Sequence, residues 1–370
     1  MKKIAIVIGT RPEGIKLAPI INAILNDFSD QFVPFVIATG QHEAILDDVF
    51  SFFNIQPDII LTIDRGNQAL SALQAQLIQS LEQVFIAESP DIVMVQGDTI
   101  STLAGAIAAY YQKIPIAHVE AGLRSGDIYE PFPEEANRRM VTQLSQWHFT
   151  PTPIATAALN SEGIQSNIHE VGNTVIDALK HVKNIGFNHP DHQHSWAAQF
   201  EAGRRMMLVT LHRRENWGAG LDQVMAAAKQ LVSTHNDLDI VWLTHPNPDI
   251  KQEVNKTLGQ TKNIYIYPPA NYIELVQLMS LSTMILTDSG GIQEEAPSLN
   301  KPVLVAREVT ERMEGVTAGC ATLVGTDSTN IVTEVTKLLN SDEAYRQMVN
   351  IVNPYGDGTT SNQILNILAN

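Results

Sequence analysis

The sequence predicts an α/β protein of two similar doubly wound domains facing a cleft. Short β-branched apolar runs alternate with longer helical stretches, the pattern of parallel sheets covered by helices. A length of 370 residues suits about two domains at ~150 residues each. One unit also occurs in both halves. "DIVMVQGDTISTLAGAIAAYYQKIPIAHVEAG" and "STMILTDSGGIQEEAPSLNKPVLVAREVTE" each run strand, polar turn, helix, Lys and Pro, strand and Glu-bearing loop, with Asp98 and Asp288 in the same place. The expected domains are 1–170 and 171–354, with a C-terminal helix at about 355–370 crossing back onto the first.

Composition bounds the function. Hydrophobic residues at 44% and charged residues at 17% are ordinary for a globular chain. The 24 basic against 40 acidic residues leave a net charge of −16, which argues against nucleic acid or an anionic membrane as partner. The first apolar run is too short for a signal-peptide core and no later run reaches spanning length, so a cytoplasmic protein is expected. The single cysteine, Cys320, excludes an internal disulfide and a thiolate metal cage. His189, His192 and His194, in a polar segment broken by Gly and Pro, read as a solvated loop, so no metal site is expected.

In chain order the expected strands are Ile4–Ile8, Val33–Ala38, Ile92–Val95, Ile116–Val119, Met207–Val209, Ile240–Leu243, Ile264–Tyr267, Met284–Leu286 and Val303–Val305. Ligands of such sheets sit beyond the carboxyl ends of the strands, so the informative loops follow strands. After the first, "GTRPEGIK" offers Gly9 for a tight turn, Pro12 for the first turn of a helix, and the cations Arg11 and Lys16. "VQGDTIST" puts Asp98 after one apolar strand, and "HVEAGLRSGD" puts Glu120 and Arg124 after the next. Parallel neighbours lie about 5 Å apart, so these two loops meet. "PFPEEANRR" adds Glu134, Glu135, Arg138 and Arg139, with Glu134 and Arg138 spaced i,i+4 for pairing.

In the second half, "LVTLHRREN" places His212, Arg213 and Arg214 after a buried strand, and "LTHPNP" places His245 after another. "LTDSGGIQEEAP" then gives a hydroxyl and open backbone amides, Ser289, Gly290 and Gly291, at a helix start, where unpaired N–H groups and the helix dipole favour phosphate. Glu295 shares the face of Gly291 but lies about 6 Å further along the axis, suited to accepting hydrogen bonds from a ribose diol. Together these imply a nucleoside diphosphate, with Arg312 of "TERMEG" placed to neutralise it.

These motifs, "GTRPEGIK", "QGDTIST", "HVEAGLRSGD", "PFPEEANR", "TLHRREN", "HPNP" and "DSGGIQEEAPSLNKPVLV", resemble in order the non-hydrolysing UDP-N-acetylglucosamine 2-epimerases across nearly the whole chain. The resemblance implies two Rossmann-like domains of GT-B type and a homodimer. It also implies reversible conversion of UDP-N-acetylglucosamine to UDP-N-acetylmannosamine, with no cofactor, by loss and re-addition of UDP through a glycal. By position it implies Asp98, Glu120, Glu134 and His212 in catalysis. Arg11, Lys16, Arg138, Ser289, Gly290, Gly291, Glu295 and Arg312 would bind substrate. A second UDP-N-acetylglucosamine, bound as activator, would touch Gln41, His42, Glu135, Arg213 and His245. Met313 stands where the family usually has Pro. A 2-epimerase of a related UDP-diacetamido sugar and a GT-B glycosyltransferase remain open alternatives.

Overall fold

The computed structural model describes residues 1–40, 43–63, 69–185 and 203–370. The chain divides into two compact units, Met1–Ala178 with Tyr355–Asn370, and Leu179–Pro354.

Unit 1 is a seven-stranded sheet of β1 (Lys2–Ile8), β2 (Phe32–Ala38), β3 (Ile59–Ile60), β4 (Ile92–Gln96), β5 (Ile116–Val119), β6 (Trp147–Thr150) and β7 (Ile168–Glu170), in the order β3-β2-β1-β4-β5-β6-β7. Its pairings are parallel. Ile4 to Ile8 are buried on both faces, which is why these strands read as continuous apolar runs instead of alternating ones. The covering helices are α1 (Arg11–Asp27), α2 (Glu43–Phe53), α3 (Leu70–Glu88), α4 (Ile100–Tyr111), α5 (Glu134–Leu144), α6 (Pro153–Ser161) and the first residues of α7 (Thr174–Ile185), which belongs to unit 2 from Leu179. One core joins β1 and β4 to α3 and α4 through Val7, Val95, Leu77, Leu81 and Leu103.

Unit 2 has six strands, β8 (Arg205–Thr210), β9 (Leu238–Leu243), β10 (Ile264–Tyr267), β11 (Met284–Thr287), β12 (Val303–Val305) and β13 (Ala321–Leu323), in the order β10-β9-β8-β11-β12-β13, again parallel. Its helices are α8 (Ala219–Thr234), α9 (Pro248–Leu258), α10 (Tyr272–Leu281), α11 (Gly290–Glu295), α12 (Met313–Ala318), α13 (Ser328–Asn340) and α14 (Asp342–Val349). Val224, Leu231, Ile331 and Val335 pack α8 and α13 onto this sheet.

The last helix, α15 (Thr360–Ala369), belongs to unit 1. It packs on α1, buries Ile364, Leu365 and Leu368, and takes the Lys2 ammonium on the Leu368 carbonyl at 3.0 Å. Asp177 of α7 caps its start through the N–H of Ser361 (2.8 Å).

Each sheet changes direction once, between β1 and β4 in unit 1 and between β8 and β11 in unit 2. Loops at such a switch point part to either side and leave a crevice at the strand ends. The repeated unit seen in the sequence, β4-α4-β5 and β11-α11-β12, occupies the same place beside each switch point.

Candidate active site

In unit 1 a single buried carboxylate ties the two switch-point loops together. Glu13, 2% exposed, accepts the N–H groups of Gly9 (2.8 Å) and Thr10 (2.5 Å) at Oε2, and the hydroxyls of Thr99 (2.6 Å) and Thr102 (2.8 Å) at Oε1. Burial pushes its carboxyl up, and these donors pull the other way. The first residue of β1's loop must be glycine, because a Cβ at Gly9 would stand 2.5 Å from Ser101 Cβ and 2.9 Å from Thr39 Oγ1.

Arg11 begins α1 and is exposed, whereas Lys16 turns inward, its Nζ 2.5 Å from Oε2 of Glu120. Gln96 donates to the same oxygen. Glu120 follows β5 with φ +63°, a left-handed conformation that costs a non-glycine residue about 1–2 kcal/mol. Strain of that kind persists only where the surroundings over-determine it, and it concentrates at functional sites. Beside it His118, fully buried, donates from Nε2 to the Gly97 carbonyl (2.8 Å) and so braces the Asp98 turn. Burial lowers this imidazole to about 3, so it is neutral.

Helix α5 supplies the partners of Asp98. Arg138 Nη2 donates to its carboxylate, and Asn137 donates to its backbone carbonyl at 2.9 Å. The pairing along α5 differs from the expected Glu134–Arg138. Glu135 is fully buried and accepts from Ser125 N–H (3.1 Å), Arg138 Nη1 (3.2 Å) and Arg139 Nε (2.8 Å). A buried charge has to be compensated, so both arginines turn to it. Among the described residues Oε2 of Glu134 is left buried without a hydrogen-bond partner. Arg124 is equally committed: its guanidinium forks onto Glu162 at 2.7 and 2.6 Å and caps the Leu123 carbonyl at 2.7 Å.

At the other switch point Asp288, the counterpart of Asp98, is fully buried. It accepts from the N–H groups of His212 (2.9 Å) and Arg213 (3.0 Å) and from Asn216 Nδ2 (2.8 Å), holding the loop after β8 against the loop after β11. The His212 and His245 rings lie 6.0 Å apart, and Trp217 stands edge-on to His245 at 5.4 Å. His245 Nδ1 accepts from Asn247 N–H (3.0 Å), which leaves its ring proton on Nε2.

Ser289 stands at the N-cap position of α11 without a side-chain capping bond, and the Arg312 guanidinium lies against the first residue of that helix: a Cβ on Gly290 would sit 3.2 Å from its Cζ. Arg312 is gripped by Glu294 (2.9 Å) and Glu311 (3.0 Å). Glu311 also takes Arg213 (2.9 Å) and Arg307 (2.7 Å). Burial pushes the Glu311 carboxyl up, but Arg312, Arg307 and Arg213 together bring it to about 2. Glu295 has one oxygen 3.6 Å from where a Gly291 Cβ would stand, and its other oxygen accepts the Tyr272 hydroxyl at 2.9 Å. The two acids of "GGIQEE" therefore divide their work. Glu294 fixes the arginine, and Glu295 stands one turn along from the phosphate-favouring turn.

A family model described as UDP-N-acetylglucosamine 2-epimerase matches residues 27–369. The chain belongs to this epimerase family. The UDP-N-acetylglucosamine 2-epimerase of Escherichia coli K12 is 45% identical over 100% of this chain and 98% of its own length. The crystal structure of the Neisseria meningitidis UDP-GlcNAc 2-epimerase bound to UDP-GlcNAc matches with a TM-score of 0.91 at 42% identity, covering 100% of this chain and 99% of that one. The Methanocaldococcus jannaschii epimerase in complex with UDP-GlcNAc and UDP matches with a TM-score of 0.81 at 34% identity over 99% of each chain. The epimerase fold here is accordingly two Rossmann-like α/β domains of GT-B type.

Within this epimerase the structure gathers Lys16, Asp98, Glu120, Glu134 and Arg138 around one switch point, and His212, Arg213, His245, Ser289 to Gly291, Glu295 and Arg312 around the other. Gln41 and His42 lie outside the described residues, as do His189, His192 and His194. Glu13, Gln96, Glu311 and Tyr272 were not singled out from sequence. The Thr10 and Glu13 spacing of a capping box is a local signal that could have found Glu13. Among the described residues no group of three or more His, Cys, Asp or Glu side chains is placed to hold a metal, and no helix is long and apolar enough to cross a membrane. Cys320 is buried, donates to the Gly315 carbonyl at 3.3 Å, and is pushed up to about 11 by burial, so it is no nucleophile.

Proposed function

We propose that this chain interconverts UDP-N-acetylglucosamine and UDP-N-acetylmannosamine by inverting C2. The observation that carries the reading is the pair of switch points, one carrying carboxylates each held by a cation (Glu120 by Lys16, Asp98 by Arg138), the other carrying an anion-binding helix start with Arg312 on it. Binding a nucleotide sugar needs only the second set. Inverting a carbon needs acids and bases as well.

In the elimination, a carboxylate takes the C2 proton, the C2–H electron pair becomes the C1=C2 bond, and the C1–O bond breaks with its electrons leaving on the β-phosphate of UDP. Re-addition returns a proton to the opposite face of C2 while the phosphate oxygen attacks C1. Asp98, Glu120 and Glu134 form the acid/base set. The buried oxygen of Glu134 that has no hydrogen-bond partner among the described residues fits a group whose hydrogen bond is supplied by the ligand. Ser289, Gly290, Gly291 and Arg312 hold the diphosphate and Glu295 the ribose, while Arg11, Lys16 and His212 stabilise the leaving oxygen.

The same reading makes the enzyme a cytoplasmic homodimer and gives it an activating second UDP-N-acetylglucosamine at Arg213 and His245. The M. jannaschii complex with both UDP-GlcNAc and UDP supports that part. Glu135, which accepts from Ser125, Arg138 and Arg139, belongs to the same proposed activator site.

Incubation with UDP-N-acetylglucosamine alone in deuterated buffer is expected to yield UDP-N-acetylmannosamine carrying deuterium at C2, read by NMR. Retention of the original hydrogen would reject elimination. Free N-acetylmannosamine would mark a hydrolysing enzyme, and no reaction without an added acceptor would favour a glycosyltransferase.

A further inference from the structure

Tyr272 opens α10 immediately after the β10 loop, and its position is fixed twice over. Asn271 caps the helix by accepting from Glu274 N–H (2.9 Å), and Glu274 returns a bond to Asn271 N–H (2.9 Å), a complete capping box. The phenol is then buried, 9% exposed, and its hydroxyl donates to Oε2 of Glu295 at 2.9 Å. Burial and the neighbouring carboxylate raise this phenol well above its ordinary value, so it remains a donor at any working pH.

Glu295 is itself 5% exposed, and its two oxygens face different ways. Oε1 lies toward Gly291, 3.6 Å from where a Cβ there would stand, and Oε2 toward Tyr272. A carboxylate on a short helix can rotate about its terminal torsion, which is broad and two-fold. The tyrosine removes that freedom by fixing one oxygen, and so presents the other at a set distance along the axis from the phosphate turn. Discrimination between hydroxyl-bearing and hydroxyl-lacking ligands depends on such fixed, buried acceptors, because a missing donor then leaves them unpaired.

We propose that Tyr272 is a specificity-determining positioning residue: by holding Glu295 it makes the nucleotide site select ribose over 2-deoxyribose. This rests on the reading of Glu295 as the ribose acceptor, and the test separates the two. Dissociation constants for UDP and for 2′-deoxy-UDP are measured by calorimetry on the full chain, as the wild type, Tyr272→Phe, Glu295→Gln and the double variant. In Tyr272→Phe the preference for UDP is expected to fall roughly tenfold, the size of one lost hydrogen bond to a charged group, mainly through weaker UDP binding. In the double variant the tyrosine change is expected to add nothing to the effect of Glu295→Gln, since it acts through that carboxylate.

If Glu295→Gln flattens the preference but Tyr272→Phe leaves it intact, the inference is overturned and the ribose reading stands. If Tyr272→Phe weakens both nucleotides equally, the tyrosine is structural only and the inference fails. A Glu295→Gln enzyme that still prefers UDP as strongly as the wild type removes the ribose reading, and the inference with it. Should Tyr272→Phe fold poorly, the double variant, which no longer buries an under-bonded charge, supplies the comparison with Glu295→Gln; a further change in preference between those two rejects action through Glu295.

Discussion

At the scale of single residues, the two aspartates of the repeated unit have had opposite fates. Asp288 is fully buried and spends its oxygens on the His212 and Arg213 amides and on Asn216, whereas the side chain of Asp98 keeps 23% of its surface accessible and meets one guanidinium. The same position in the same topology thus serves as scaffold in one unit and is available for chemistry in the other. Asp98→Asn keeps the shape and still meets Arg138 with its amide oxygen, but it can no longer exchange a proton. Turnover is expected to drop roughly 10²- to 10⁴-fold, the usual contribution of a general acid or base, with UDP affinity nearly unchanged. Steady-state kinetics alongside UDP calorimetry would check this, and near-normal turnover would take Asp98 out of the catalytic set. Lys16, Asp98, Glu120, His212 and Arg213 were legible because their loops follow apolar strands, whereas Glu134, Glu135 and Arg138 stood out only as a charged cluster on a helix start. Gln96 and Tyr272 were not, since their roles appear only when Gln96 meets Glu120 and Tyr272 meets Glu295, residues far outside any local window.

At the scale of elements, β5 and β6 carry an adjacent pair of buried histidines, His118 and His148, register partners on neighbouring strands. Burial lowers them to about 3 and about 4, below the ordinary 6.5. The folded chain therefore releases protons that the unfolded chain holds, and their contribution to stability is complete above 6.5 and is lost as pH falls toward 4 and 3. On going from about pH 7.5 to about pH 5, unit 1 is expected to lose on the order of 2 kcal/mol per histidine, an upper figure. Urea unfolding at the two pH values measures it, and a His118→Gln, His148→Gln variant should be flatter over the same interval. An acid-insensitive wild-type midpoint would count against burial as the cause. Strands of this kind also show where sequence pattern stops being informative. The apolar runs of β1, β2, β4, β8 and β9 are plain from their composition, but β3 has only two residues, and β6 and β7, "WHFT" and "IHE", are short and partly polar. β13 begins two residues after the left-handed Gly319 that ends α12, so "TAGCATL" looks like small-residue packing until the sheet supplies its partner strand.

At the scale of the whole molecule, the two-fold recurrence of one topological unit was readable because order of parts survives when individual residues diverge. What pattern alone does not supply is the reason for the tail: "NQILNILAN" is an amphipathic helix with no stated partner until α1 offers its face. Removing residues 355–370 would uncover that face and delete the burial of Ile364, Leu365 and Leu368. At about 1.5–3 kcal/mol for each, unit 1 is expected to lose on the order of 5 kcal/mol, comparable with the whole stability of a domain. Limited proteolysis should then digest unit 1 while unit 2 persists and still binds UDP. Equal resistance of both units would mean that α15 is dispensable. This chain path also sets an order of events during synthesis. Translation runs from the amino end, so the helix that closes unit 1 leaves the ribosome only after every residue of unit 2 has been made. The half that carries the proposed acid/base groups therefore receives its closing helix only once the residues of the other half have been made.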